Sequence, residues 1–111
     1  LVVDRADFDA FLLEHARAAF SISVISVTEF LEGFAQPTEG ERLLRAYARF
    51  DVDSRIAAQA AVLRRTLRLK GTLIGDFDIL IAATALTESL PLVTDNIDEF
   101  SRVDGLELVG Y

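Results

Sequence analysis

Four stretches of this 111-residue chain set acids or amides against the end of an apolar run. Asp4 follows LVV, Glu29 comes shortly after SISVISV, Asp76 and Asp78 open ILIAATAL, and Asp95 with Asn96 follows LPLVT. If those run ends share one edge of a fold, the acids repel one another by roughly a kcal/mol or more per close pair at intermediate dielectric, unless a cation offsets them. The chain has no cysteine and one histidine, His15, so thiolate and histidine-rich zinc sites are excluded and any metal must be held by oxygen. Oxygen-only clusters suit Mg²⁺ or Mn²⁺, which keep several waters and bind substrate phosphate. The chemistry that follows is phosphodiester hydrolysis, with the metal lowering the pKa of a bound water and offsetting charge on the nonbridging and leaving oxygens.

Each acid also has a plainer role open to it. Glu29 completes S-x-x-E with Ser26, the pattern of a capping box. Asp76 follows Gly75 and is placed to cap a helix, and Asp78 in its first turn would gain ~0.3 to 1 kcal/mol from the helix dipole. For Asp78 that is not enough. Ile79, Leu80, Ile81, Ala82, Ala83, Ala85 and Leu86 leave the helix apolar on nearly every side, so it belongs in the centre of the fold. A carboxylate at the start of such a helix needs more compensation than a surface dipole supplies. Asp95 and Asn96 could serve only to cap the next helix. His15 lies on the polar side of an amphipathic pattern, a surface position, and no G-x-S-x-G elbow or P-loop is present.

The elements that must position these residues follow from periodicity. LVV reads as a short strand, FDAFLLEHARAAF (8–20) as an amphipathic helix, and SISVISV (21–27) as a second strand. TEFLEGF turns helical and QPTEG breaks the pattern, after which ERLLRAYARF (41–50) reads as a third helix. SRIAAQAAVLRRTLRLKG is a fourth helix, with Asp53 or Ser54 as N-cap and Gly71 as stop. The helix after Asp78 is followed by strands at LPLVT and LELVG. Strands alternating with helices imply βαβ units and a parallel sheet with helices on both faces. Ligands of such sheets bind at the carboxyl ends of the strands, where the acids fall.

Length and composition bound the rest. The chain is long enough for one domain, 1–111, and its apolar runs are broken by charge before the ~20 residues a bilayer needs. Nothing at the N-terminus resembles a signal peptide, and cytoplasm is the expected compartment. The net charge of -7 disfavours nonspecific nucleic-acid binding, yet residues 41–70 hold eight of the eleven bases against three acids, a local +5. That basic middle is either a solvated helical face or a surface for an acidic partner or an RNA backbone.

SVTEFLEG, then KGTLIGDFDILIAATAL, then LPLVTDNIDEFSRVDGLELV resemble the PIN domain, and within it the VapC-type toxins of bacterial toxin-antitoxin pairs. The resemblance covers roughly residues 8 to 111. It implies a three-layer α/β/α sandwich around a central parallel sheet of four to five short strands, acting as a Mg²⁺- or Mn²⁺-dependent ribonuclease on an RNA substrate. It also implies a cognate small antitoxin as partner and a homodimer, with no membrane role. By position, Asp78 matches the metal-ligating acid of D-x-x-I-A-A, Glu29 the acid after the second strand, and Asp4 the acid closing the first. The family's fourth acidic position falls on Asn96, with Asp95 and Asp98 as neighbours able to substitute, and Asp76 matches a frequently acidic neighbour of the main ligand. Family members usually read D-T-N or D-T-S after the first strand, where this chain reads Asp4-Arg5-Ala6. A catalytically weak PIN-like interaction module is the alternative. A phosphoacceptor receiver domain is disfavoured, because no lysine lies beyond Lys70.

Overall fold

The computed structural model describes residues 2–4 and 20–111. The helix expected over 8–20, and His15 with it, lies outside the described residues except for Phe20. Five strands, β1 (Val2–Val3), β2 (Ser21–Ser23), β3 (Ala48–Phe50), β4 (Leu92–Thr94) and β5 (Leu108–Gly110), form one sheet ordered β3-β2-β1-β4-β5. Every neighbouring pair is parallel. β1 is central, with Val2 opposite both Ser21 and Leu92 and Val3 opposite both Ile22 and Val93.

Because successive strand residues point to opposite faces, the sheet has an apolar cluster on each. Val2, Leu92 and Leu108 join one, and Ile22, Val93 and Val109 the other. The first is covered by α3 (Ser54–Leu69) and α4 (Asp76–Glu88), through Ile56, Ala60, Leu63 and Leu67 of α3 and Ile79, Ile81, Ala82, Ala83 and Ala85 of α4. The second is covered by Val27, Phe30 and Leu31 of α1 (Val24–Glu32) and by Leu44. Helices on both faces of a parallel sheet make the expected three layers.

α4 is the central helix its sequence predicts. Its one polar residue in the deeply buried stretch, Thr84, donates its hydroxyl back to the Leu80 carbonyl at 2.8 Å, so it places no unsatisfied group in the core. α3 starts on Asp53, whose Oδ1 accepts from the Ile56 N–H at 3.0 Å, and ends before Gly71, whose φ of +71° suits a residue without a side chain.

Three boundaries differ from the sequence expectation. SISVISV is a strand only over its first three residues: the Ser23 hydroxyl accepts from the Ile25 N–H at 3.2 Å and starts α1 at Val24. Ser23, not Ser26, is therefore the cap, and Glu29 lies inside the helix rather than in a capping box. QPTEG does not merely break the chain, because Pro37 opens a helix, α2 (Pro37–Leu43), at the one turn where its missing N–H costs nothing. Residues 41–50 are not one helix: α2 passes into a 3₁₀ turn (Leu44–Ala46) and then into β3, an edge strand.

Candidate metal centre

β1 and β4 place the first carboxylate. The Val2 and Asp4 N–H groups donate to the carbonyls of Pro91 and Val93 at 2.9 and 2.8 Å, which fixes Asp4 at the carboxyl end of the central strand. Asp4 is only 5% exposed. Its Oδ2 accepts from the hydroxyl of Thr94, the fully buried last residue of β4, at 2.8 Å. The same hydroxyl accepts from the Asn96 N–H at 2.9 Å, so one side chain both orients the acid and shapes the turn out of β4.

α1 brings Glu29 and α4 brings Asp78 to the same edge. One carboxylate oxygen from each of Asp4, Glu29 and Asp78 lies within 4.8 Å of the others. Glu29 is exposed, Asp78 half-buried and Asp4 buried, so the cluster opens to solvent on the α1 side.

A fourth acid joins them from α5 (Ile97–Phe100). Glu99 accepts from the Gly75 N–H through Oε1 at 3.2 Å and from the Asn96 side-chain amide through Oε2 at 2.6 Å, and it hydrogen-bonds Asp78. Of the pair, Asp78 keeps the proton and donates it to Glu99. Burial pushes the Asp78 carboxyl up to about 7, helped by that hydrogen bond and by the charges of Glu99, Asp4 and Glu29. Burial alone would raise Glu99 as well, but the donors at Gly75, Asn96 and Asp78, with the positive charge of Arg102, hold it below the usual carboxylate range.

The donor set is oxygen only, drawn from four segments, and burial together with the neighbouring acids favours the protonated form of one of them, Asp78. A hard divalent cation would relieve that crowding, so the residues present fit Mg²⁺ or Mn²⁺.

The remaining sequence candidates take other places. Asn96 meets the cluster through Glu99. Asp95 and Asp98 are exposed and outside the three-acid group. Asp76 does not cap α4; Gly75 holds the cap position with no side-chain bond, and Asp76, the first helical residue, pairs with Arg64 Nε at 3.1 Å. Glu99 escaped the sequence reading because IDEF looks like a solvated acidic turn. Its spacing of three from Asn96, one helical turn, was the available signal.

Known proteins share this chain's sequence pattern and fold. The family model described as "PIN domain" matches residues 3–106. A tRNA(fMet)-specific endonuclease VapC of Salmonella typhimurium is 31% identical over 109 residues, covering 86% of this chain and 83% of the relative. A ribonuclease VapC1 of Methanocaldococcus jannaschii is 32% identical over 95 residues, covering 82% of this chain and 69% of the relative. Among solved structures, a DNA-bound VapBC from Salmonella typhimurium matches with a TM-score of 0.80 at 24% identity, over 98% of this chain and 96% of that chain. The last likeness speaks for the fold.

Proposed function

The chain belongs to the PIN domain family, and from that premise we propose that it is a metal-dependent endoribonuclease, the toxin of a VapBC-like toxin-antitoxin pair. The observation that carries the reading is the meeting of Asp4, Glu29 and Asp78 within 4.8 Å at the carboxyl end of the sheet. In this reading Asp4, Glu29 and Asp78 hold Mg²⁺ or Mn²⁺, with Glu99 as a fourth carboxylate. When bound, the metal makes a water nucleophilic near neutral pH and offsets charge on the scissile phosphate.

The chain's own residues do the rest. Thr94 aims the Asp4 carboxylate by donating to it, and Asn96 and the Gly75 N–H hold Glu99 against Asp78. Asp78 would hold the metal as a carboxylate, so the proton that burial and its neighbours favour in the metal-free site would have to leave on binding. Glu29, the most exposed of the three, borders the open side through which a phosphate reaches the cluster.

The VapC names of the relatives and the VapBC neighbours support a small antitoxin as partner and RNA as substrate. A homodimer and a cytoplasmic location belong to the same proposal; among the described residues no helix is long and apolar enough to cross a membrane. The alternative of a catalytically weak interaction module rests on the irregular sequence after Asp4 and on asparagine at position 96; within the nuclease reading Glu99 supplies a carboxylate beside the latter.

The test is cleavage of RNA by the purified chain with Mn²⁺ or Mg²⁺, against chelator and against Asp78→Asn. Cleavage that needs metal and vanishes in the variant is expected. Equal cleavage by Asp78→Asn at matched folding would sink the nuclease reading, and no calorimetric Mn²⁺ binding at millimolar metal would favour the interaction module.

A further inference from the structure

α4 buries nearly every apolar side chain it carries, with one exception. Phe77, between Asp76 and Asp78, is 49% exposed and is the most exposed aromatic among the described residues. Its position in the helix explains how. Phe77 lies one turn before Ile81, on the same face, and Ile81 is fully buried. The buried face of α4 therefore runs out into solvent at Phe77, at the edge of the sheet where the carboxylates meet. It is the residue next to Asp78 in the chain, ~3.8 Å away from Cα to Cα.

The ring has suitable company. Leu73, in the loop before α4, and Ile97, which follows Asn96, are also exposed large apolar residues. Two cations border the same rim. Arg64 reaches Asp76 through Nε, which leaves the two Nη groups of its fork for a second anion. Arg102 donates from Nη1 to the Leu73 carbonyl at 3.4 Å and acts on Glu99.

A nucleotide presents one anionic phosphate and one flat apolar face. At the start of α4 three consecutive residues bring these together: Asp76 holds the Arg64 guanidinium, Phe77 carries the exposed ring, and Asp78 belongs to the carboxylate cluster. We propose that Phe77 is the stacking platform for an unpaired nucleobase beside the scissile phosphate, so that the site takes RNA that is single-stranded at that nucleotide. The inference rests on the nuclease reading and gives its substrate a conformation. A base inside a duplex has both faces covered by its neighbours and has none to lend to Phe77, whereas a splayed base stacks on an aromatic whatever its identity.

The test separates binding from cleavage. In an Asp78→Asn background, which does not cut, a fluorescein-labelled single-stranded RNA of mixed sequence is titrated by anisotropy and compared with a duplex of the same sequence. Adding Phe77→Ala weakens single-strand binding about tenfold, and Phe77→Tyr restores it to within about twofold, because the ring face is kept. Duplex binding does not respond to either change. With Asp78 intact, Phe77→Ala raises KM for single-stranded RNA more than it lowers kcat. Phe77 is exposed, so its variants melt with the parent.

Single-strand affinity unchanged by Phe77→Ala, or weakened equally for duplex, overturns the platform. If metal-dependent cutting is still lost in Asp78→Asn, the nuclease reading survives that outcome and the rim serves a protein partner instead. Absence of both RNA binding and cleavage in every variant overturns the two together.

Discussion

Along the flank of α3 acids meet bases, and at the carboxyl edge of the sheet acids meet acids. On the flank Arg55 bridges Asp53 and Glu88 at 2.9 Å, Arg64 holds Asp76 at 3.1 Å, and Lys70 holds Asp104 at 3.1 Å. At the sheet edge Asp78 hydrogen-bonds Glu99 and feels the charges of Asp4 and Glu29. The two regions share α4: its first residue, Asp76, belongs to the flank and its third, Asp78, to the edge. Apart from Arg102, which acts on Glu99 at the edge, the bases named here pair with acids on the flank. Exposed pairs of that kind contribute little to stability, while a crowded and partly buried group of acids costs stability and persists only where function requires it.

The largest break of this contrast is Asp78→Asn. It should lower metal-dependent cleavage roughly a hundredfold or more, beyond what loss of an outer-shell partner does, while the metal-free protein melts at the same temperature or higher. A clear fall in melting temperature would mean that the edge is held together by its acids rather than strained by them.

Thr94→Val comes next. It removes the hydroxyl that donates to Asp4 and accepts from the Asn96 N–H, so a buried carboxylate oxygen and a half-buried N–H each lose that bond. A loss of about 1 to 3 kcal/mol in urea unfolding is expected, with Mn²⁺ affinity down by about tenfold or more. Thr94→Ser should recover most of both, since it keeps the hydroxyl.

pH sharpens the comparison further. Asp78 titrates at about 7 in the fold against an ordinary 3.8, so across that interval the folded protein holds a proton the unfolded chain has released. Metal-free stability therefore falls as pH rises from about 4 to 7. Glu99, depressed, contributes the opposite slope, but only as pH falls below its ordinary 4.5. Scanning calorimetry should show the melting temperature dropping by a few degrees from pH 5 to pH 7. Saturating Mn²⁺ should remove the drop, and Asp78→Asn should abolish it without metal.

The smallest effect belongs to the flank. Lys70→Ala removes a pair whose Asp104 side chain is 87% exposed, and the unfolding free energy should move by no more than about 0.5 kcal/mol, less in high salt. A larger change would erase the distinction between the two regions.

The same contrast explains what could be read from the chain. Asp78 was legible because the residues after it leave no polar face, so a charge there stands out. β1 and β4 were legible as β-branched runs, and the helix at 54–69 as a stripe between an Asp cap and a Gly stop. The start of α1 was not: SISVISV alternates as a strand does, and only the Ser23 hydroxyl on the Ile25 N–H shows where helix begins. β3 was hidden because it is a three-residue edge strand with Ala48 and Arg49 exposed, lacking the apolar run of a buried strand. Glu99 was hidden for a related reason. Its role depends on Gly75, twenty-four positions earlier, and on Asn96, and no local pattern encodes a hydrogen bond across the fold.

The strand order carries one more consequence. Asp4 directly follows the central strand, yet the hydroxyl that orients it comes from Thr94, ninety residues later, and Glu99 later still. On the ribosome the chain emerges at about 5 to 20 residues per second, so Asp4 waits several seconds for the partners that complete its cluster. Throughout that interval the emerging polypeptide carries the first of the clustered acids without the cluster.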